Sequence, residues 1–192
     1  MDAKRFGLYA AVLAALAGCA GGGLGSIAGS AFGLNKPPEL PDAQKPARQV
    51  AIRLHAADKL NVDARGQPLA LVARIYKLRQ AGAFEQAPYA AFLSPQAEKE
   101  ALGADLVEVK EITLVPGQRY EVTEKVSREA GFVGVVALFR APAPQRWRLA
   151  FAAADAEQAG VTVGLHACAL SVGAGAKATV REMKMLSSVR CQ

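Results

Sequence analysis

Apolar and polar residues alternate along much of this chain in short segments separated by turn formers, which is typical of strands with one buried face. In residues 70–78, for example, Leu71, Ala73 and Ile75 would lie on one face of a strand, with the residues between them on the other. Residues 132–139 and 161–172 are almost wholly apolar, which indicates strands covered on both faces. The pattern predicts strands at residues 50–55, 70–78, 106–114, 119–126, 132–139, 146–151, 161–172 and 178–183.

Two features modify this strand pattern. Residues 115–118 read Val-Pro-Gly-Gln, and the central Pro-Gly pair predicts a type II turn that joins the flanking strands as a hairpin. Between residues 84 and 102 the period becomes helical: Ser94 would cap a helix that starts at Pro95 and ends before Gly103. The predicted fold is therefore mainly β, an antiparallel β-sandwich of seven to eight strands with a small α-helical insertion at about residues 84–102, packed on the sheet.

The start of the chain has the three-part layout of a secretory signal. Lys4 and Arg5 precede an uncharged apolar run, which ends at Leu16-Ala17-Gly18-Cys19. This run is shorter than the ~20 apolar residues that a membrane-spanning helix needs. Leu-Ala-Gly-Cys resembles the bacterial lipobox, so we expect residues 1–18 to be removed and Cys19 to carry a covalent lipid. An ordinary signal peptide with a chance cysteine is the alternative. By the same resemblance, the non-acidic residue Ala20 implies the outer membrane.

Composition divides the mature chain into two parts. Residues 19–47 are rich in glycine and proline, which predicts an extended membrane tether, and residues 48–192 would form the sandwich domain with its helical insertion. Loss of Lys4, Arg5 and Asp2 with the leader lowers the formal net charge from +6 to about +5. These charges are dispersed rather than gathered beside aromatic residues, so no nucleic-acid partner is expected.

Two cysteines, Cys168 and Cys191, remain beyond the lipobox. In an oxidising compartment two leftover thiols more often pair than stay free, and a bridge across this loop would stabilise the fold by about 3 kcal/mol. A buried strand cysteine and an unrelated cysteine in the tail are the alternative.

Few residues are candidates for catalysis. His55 and His166 fall inside predicted strands, with no cysteine or carboxylate at metal-ligand spacing, which favours structural histidines. Ser171 lacks the upstream glycine of a nucleophile elbow, and the glycines before Lys177 lack the spacing of a phosphate-binding loop. A solvated charged face is favoured for the acidic pairs Glu98/Glu100 and Glu108/Glu111, and a core position for Trp147. We therefore expect no catalytic residue, no metal and no cofactor besides the covalent lipid; the chain is predicted not to be an enzyme.

Taken together, these segments resemble the TssJ family, the outer-membrane lipoproteins of bacterial type VI secretion that are also called VasD or SciN. The resemblance rests on the lipobox, the Gly/Pro tether, Leu-Asn-Val-Asp-Ala-Arg-Gly-Gln-Pro-Leu-Ala at residues 60–70 and Val-Ala-Arg-Ile-Tyr-Lys-Leu at 72–78. Phe-Glu-Gln-Ala-Pro-Tyr at 84–89 and Pro-Gly-Gln-Arg at 116–119 continue it in the family's order. It implies a transthyretin-like β-sandwich with an added helical element.

The resemblance also implies a partner. Members of the family bind the periplasmic C-terminal domain of the inner-membrane protein TssM, together with TssL, in the complex that docks the contractile tail. The family contacts TssM through the loop between the first two strands. In that loop we expect Leu60 and Val62 to act as apolar anchors, and Asp63 and Arg65 to pair with partner charges. The expected binding loop comprises Asp58, Leu60, Asn61, Val62, Asp63, Ala64, Arg65, Gly66, Gln67 and Pro68.

The function expected from these features is that of an outer-membrane lipoprotein on the periplasmic face, which anchors and stabilises the type VI membrane complex and has no small-molecule substrate. The alternative is a periplasmic lipoprotein that binds a small molecule or peptide on a sandwich scaffold, which would need a pocket with convergent polar groups. A hydrolase would need a catalytic trio around His55 or His166.

Overall fold

The structure is a computed structural model that describes residues 40–179, 189 and 191. The chain divides into two units, Met1–Leu40 and Pro41–Gln192. The leader, Cys19 and residues 19–39 of the predicted tether lie outside the described residues, as do residues 180–183 of the predicted last strand.

Within the described residues, eight strands form two four-stranded sheets, which confirms the predicted mainly β sandwich. Sheet A has the order β4-β1-β7-β8 and sheet B the order β3-β2-β5-β6. All neighbouring strands are antiparallel except β1 and β7, which are parallel. The strands are β1 (Arg48–Ala56), β2 (Leu71–Leu78), β3 (Leu106–Leu114), β4 (Arg119–Val126), β5 (Phe132–Ala137), β6 (Arg148–Ala152), β7 (Val161–Leu165) and β8 (Leu170–Val172).

The core lies between the two sheets. Because side chains alternate across a strand, every second residue of the central strands faces inward. Ile52 and Leu54 of β1, Ile75 of β2, Val135 of β5 and Val163 of β7 are at most 2% exposed. Burial of each such side chain contributes about 1.5–3 kcal/mol before the entropy of ordering is counted.

A helical layer covers the outer face of sheet B, where the sequence predicted an insertion. It comprises α1 (Gly82–Gln86), a 3-10 turn (Tyr89–Leu93), α2 (Pro95–Leu102) and a second 3-10 turn (Gly103–Asp105). The Phe84 ring lies against Gly134 of β5 and 5.3 Å from the ring of Tyr76, centroid to centroid. The helix α2 follows Ser94 as predicted, although Ser94 forms no side-chain capping bond.

A buried polar contact fixes this layer to the sheet. Glu98 of α2 accepts hydrogen bonds from the Tyr76 hydroxyl and, at 3.1 Å, from Arg74 Nη1, and it is only 6% exposed. The predicted solvated face is therefore wrong for Glu98, because its carboxylate points toward the sheet and not toward water. Burial, together with the Glu98 carboxylate, raises the pKa of Tyr76 above its usual range, so the hydroxyl stays a donor.

The predicted hairpin between β3 and β4 is wrong. The turn itself forms: Gln118 N donates to Val115 O at 3.1 Å, and Gly117 has a φ of 76°. However, β3 pairs with β2 in sheet B, while β4 pairs with β1 in sheet A. The turn therefore crosses from one sheet to the other, since a turn sequence specifies chain reversal and not the strand's partner.

The predicted single strand at residues 161–172 is also wrong. His166 N donates to Ala169 O at 3.0 Å, which closes a turn between β7 and β8, so His166 lies in the turn and not in a strand. A further helix, α3 (Ala153–Ala159), lies in a segment for which no element was predicted. Of the predicted last strand, Ala178 forms an isolated bridge with Phe151.

Trp147 is buried, as expected, but it lies on the outer side of sheet B and not between the two sheets. It precedes β6, and its ring packs 5.0 Å from that of Tyr89 and 5.2 Å from that of Phe92, centroid to centroid. Trp147 is 7% exposed, so it belongs to the helical layer outside sheet B.

A disulfide bond joins Cys168 to Cys191, with the Cα atoms 5.6 Å apart. Cys168 lies in the turn between β7 and β8, where it is 2% exposed and packs with Ala143 and Ala169. The bond fastens the C-terminal segment to this turn.

Candidate functional site

The predicted binding loop lies at one end of the sandwich, which we call the loop end. It consists of residues 57–70, which connect β1 to β2, with residues 115–118, 138–147 and 166–169. The opposite end, where β1 begins at Arg48, is the base. Because β1 runs from the base to the loop end, its nine residues separate the two by roughly 30 Å.

Backbone hydrogen bonds attach the loop between β1 and β2 to its neighbours. Asn61 N donates to His166 O and Val62 N to Ala167 O, both at 3.1 Å. On the returning side, Leu69 N donates to Leu60 O at 3.0 Å. Both arms of the loop are thus held by the sandwich, so little ordering entropy would be lost when its tip binds a partner.

Asn61 is the central brace of this loop. Its Nδ2 donates to Ala70 O at 2.9 Å, and its Oδ1 accepts from Arg140 N at 2.8 Å. It is 7% exposed and has a φ of 46°, in the left-handed region that asparagine tolerates better than most residues. Asn61 therefore supports the loop, and its burial leaves little of its side chain for a partner to contact.

Leu60 differs from its predicted role. Its side chain is fully buried in the core, so the expectation that it acts as an exposed apolar anchor is wrong. The physical reason is that the chain leaves β1 by turning back over the end of the sandwich, where an apolar side chain gains more from the core than from solvent. Val62 is half-buried and Asp58 is exposed.

The tip of the loop is ordered by Asp63. Asp63 Oδ1 accepts hydrogen bonds from the backbone nitrogens of Arg65 and Gln67, both at 2.8 Å. Asp63 N donates to Gln67 O at 2.9 Å, and Gly66 supplies the φ of 76° that the reversal requires. The residues of the tip are exposed: Ala64, Arg65, Gly66, Gln67 and Pro68.

The turn at residues 115–118 lies beside this loop, a proximity that sequence reasoning missed. Gly117 N donates to Ala57 O at 3.2 Å, and a Cβ on Gly117 would lie 3.0 Å from Asp58 Oδ1. Two large apolar side chains at this end are exposed, Leu69 by 38% and Val115 by 53%. Val115 could have been found from the sequence, because it is an apolar residue next to a Pro-Gly turn. A side chain at such a turn has few neighbours to pack against.

The two histidines do not form a catalytic site with other described residues. His166 Nε2 lies 2.8 Å from Ser171 Oγ, and no carboxylate is hydrogen-bonded to either side chain within residues 40–179. Burial lowers the pKa of His166, which favours the neutral ring. His55 Nε2 is buried without a hydrogen-bond partner. In the described part of the chain, no three His, Cys, Asp or Glu side chains are grouped as metal ligands.

A surface cavity of about 480 Å³ lies at the base, lined by Lys45, Ala47, Ser127, Arg128 and Glu129. Arg128 donates to Pro46 O at 2.7 Å and pairs with Glu157 at 3.3 Å. The guanidinium group of Arg128 is thus engaged in holding residues 45–47 and α3 together. None of the described helices is long and apolar enough to cross a membrane.

The geometry thus defines a class of protein, a β-sandwich body that presents a braced loop at one end. The family model for type VI secretion lipoproteins, described as VasD, EvfM, TssJ and VC_A0113, matches residues 48–168. The chain therefore belongs to this family of membrane-associated type VI secretion lipoproteins. No curated protein matches the chain.

Solved structures agree with this assignment. The T6SS lipoprotein TssJ1 from Pseudomonas aeruginosa is 31% identical, with a TM-score of 0.59 over 67% of this chain and 97% of that chain. A chain in a structure described as a type VI membrane complex is 26% identical, with a TM-score of 0.60 over 66% and 98%. A chain in a structure described as the T6SS protein TssM C-terminal domain from EAEC is 25% identical, with a TM-score of 0.58 over 66% and 98%.

Proposed function

We propose that this protein is a non-enzymatic lipoprotein held at the periplasmic face of the outer membrane by a lipid on Cys19. It anchors and stabilises the type VI membrane complex by binding the periplasmic C-terminal domain of TssM, in the same complex as TssL. Membership of the lipoprotein family supports this role, and so do similar chains in structures of a type VI membrane complex and of the TssM C-terminal domain.

The observation that carries the proposal is the braced and exposed tip of the loop between β1 and β2. Asp63 and Asn61 hold its backbone, while Arg65 and Gln67 remain accessible. The chain enters the sandwich at Arg48, at the base, so the tip is presented at the far end of β1. A loop presented in this way suits a partner that approaches the loop end of the sandwich.

The binding test replaces two exposed side chains and leaves the bracing groups in place. In the Arg65→Ala/Gln67→Ala variant the Kd for the TssM periplasmic domain is expected to rise at least tenfold, about 1.4 kcal/mol, with the urea midpoint unchanged. Isothermal titration of the mature lipoprotein in detergent micelles measures the Kd.

The matched control is Gln49→Ala/Lys125→Ala, which likewise removes one glutamine and one cation, from an exposed, paired position at the base. It is expected to bind like the wild type. Absence of wild-type binding would refute the proposal. Normal binding by the tip variant would exclude the loop as the binding site. Loss of stability together with affinity would show that the tip has a structural role.

The anchor has a separate test. The Cys19→Ser variant is expected to be exported but unacylated, and to appear in the soluble periplasmic fraction because one or more acyl chains supply the membrane affinity. Fractionation followed by immunoblotting measures this. Retention of the variant in the outer-membrane fraction would contradict the assignment of the anchor to Cys19.

A further inference from the structure

The loop end carries cations that the described part of the chain does not pair. Lys59, Arg65, Arg119 and Arg140 are exposed, and none of them forms an ion pair within residues 40–179, 189 and 191. Among the described residues, two carboxylates, Asp58 and Asp63, share this end, and Asp63 already accepts two backbone hydrogen bonds. Positive charge therefore exceeds negative charge at the loop end.

Elsewhere on the sandwich, cations are mostly matched by carboxylates. Arg79 lies 2.8 Å from Glu129, Lys110 lies 2.6 Å from Glu124, and the outer face of sheet A pairs Arg53 with Glu121 at 4.0 Å. The unmatched group at the loop end therefore departs from the rest of the molecule. Unmatched charge gathered on one surface raises the local potential and attracts anions.

The backbone places these cations on several different elements at the same end. Arg119 begins β4 and pairs across the sheet with His55, the second-last residue of β1. Arg140 follows β5, and its backbone nitrogen donates to Asn61. Lys59 and Arg65 lie in the loop itself. The charged surface thus extends beyond the loop to β4 and to the segment after β5.

Exposed apolar side chains lie on the same surface. Leu71 of β2 pairs with Leu114 of β3, and Leu69 and Val115 lie just beyond these last paired residues, at the loop end. Apolar side chains bordered by charged groups are the usual composition of a protein interface, where the apolar contacts supply affinity and the rim charges supply rate and orientation.

We propose that the loop end binds a carboxylate-rich segment of a protein partner, with apolar side chains of that segment contacting Leu69 and Val115. This inference rests on the proposed function and specifies its partner surface: the acidic segment belongs to the periplasmic domain that the tip contacts. It enlarges the site to include Val115, Arg119 and Arg140. A protein partner is favoured over an anionic membrane, because exposed apolar side chains among charged groups are the usual composition of a protein interface.

The test measures association rates by surface plasmon resonance, with the full mature lipoprotein in detergent and the TssM periplasmic domain immobilised. Arg119→Glu is expected to lower kon on the order of tenfold at low salt. In this variant kon should also decrease less steeply as the ionic strength rises. The matched control is Lys125→Glu, which makes the same charge change on the same face of β4 at the base; it should stay within about twofold of the wild type. Arg140→Glu repeats the test on a second element, and urea midpoints verify folding.

The apolar part is tested by Val115→Ser, which is expected to raise koff about tenfold with kon little changed. Equal rates for Arg119→Glu, Arg140→Glu and Lys125→Glu would overturn the inference while leaving the proposed function intact. No wild-type binding would overturn both. Binding of the unacylated Cys19→Ser variant to phosphatidylglycerol vesicles, abolished when Arg119→Glu is added, would assign these cations to a membrane and overturn the protein partner.

Discussion

Asn61 shows how one side chain fixes the conformation of a functional loop. It joins the returning strand at Ala70 to the segment after β5 at Arg140, and it does so from a φ of 46°. A side-chain amide has both a donor and an acceptor, so a single asparagine pairs with a carbonyl and an amide group of two separate segments, through two part-buried hydrogen bonds.

The cost of removing this brace is predicted to depend on the replacement. Asn61→Ala should lower the free energy of unfolding by about 3 kcal/mol, because two backbone groups lose their partner and alanine disfavours positive φ. Asn61→Gly should lower it by about 2 kcal/mol, since glycine adopts this φ freely. Urea unfolding measures both values. Equal losses would show that the backbone conformation contributes nothing, and no loss would exclude a bracing role.

The sequence predicted the position of the loop better than the roles of the individual residues in it. The gap between the strands predicted at residues 50–55 and 70–78 located the loop, and Arg65 and Gln67 in it are exposed, as residues of a binding loop should be. Leu60 and Asn61 could not be assigned from the pattern, because whether a loop side chain turns inward depends on the path of the backbone. That path is set by the hydrogen bonds to residues 166 and 167, which are distant in sequence.

Among the elements, the helical layer depends on a close approach to sheet B. A Cβ on Gly134 would lie 2.8 to 3.2 Å from three atoms of the Phe84 ring. Glycine therefore belongs at this position of β5 because a larger residue would push α1 away from the sheet, and not because of its backbone conformation.

Gly134→Ala is expected to lower the free energy of unfolding by about 2 kcal/mol, as overpacking of a buried contact does. The matched control is Gly82→Ala in α1, where nothing lies within 4 Å of the added Cβ, and a change below about 0.5 kcal/mol is expected. Adding Phe84→Leu to Gly134→Ala should recover part of the loss. Equal effects of the two glycine substitutions in urea unfolding would contradict the packing argument.

The sequence pattern located most elements but not all of their partners. The apolar period identified β1 to β6 to within a few residues, because that period follows directly from burial on one or two faces. The pairing of β3 and β4 with different sheets, and the turn inside residues 161–172, left no local signal. Strand pairing is decided by contacts between residues far apart in sequence, so it appears only in three dimensions.

Across the whole molecule, a charged cluster joins the two sheets at one side. Glu124 of β4 in sheet A lies 2.6 Å from Lys110 of β3 and 3.4 Å from Lys77 of β2, both in sheet B. Glu124 is 7% exposed. Burial by itself raises the pKa of Glu124, but the hydrogen bond and charge of Lys110, helped by Lys77, outweigh it and leave the pKa below its ordinary value.

This cluster predicts a stability that depends on pH. Because the pKa of Glu124 is lower in the folded than in the unfolded state, its contribution is complete above the ordinary glutamate pKa of 4.5 and is lost as the pH falls through the folded-state value. Glu124→Gln should cost about 2 kcal/mol at pH 7 and progressively less below pH 4.5. Urea unfolding of the wild type and of Glu124→Gln across this pH range measures the difference. A difference in the free energy of unfolding that does not change with pH would contradict the role given to Glu124.

The parallel pairing of β1 with β7 constrains how the molecule can assemble. The first strand lies inside sheet A, between β4 and β7, so its neighbours come from residues 119–126 and 161–165. A chain delivered from its N-terminus would hold β1 without a hydrogen-bonded neighbour until residues 119–126 had followed, and with one edge unpaired until residues 161–165 had followed. Sheet A is therefore completed late, in a step that closes a long loop, and the first strand needs shielding from other chains until then.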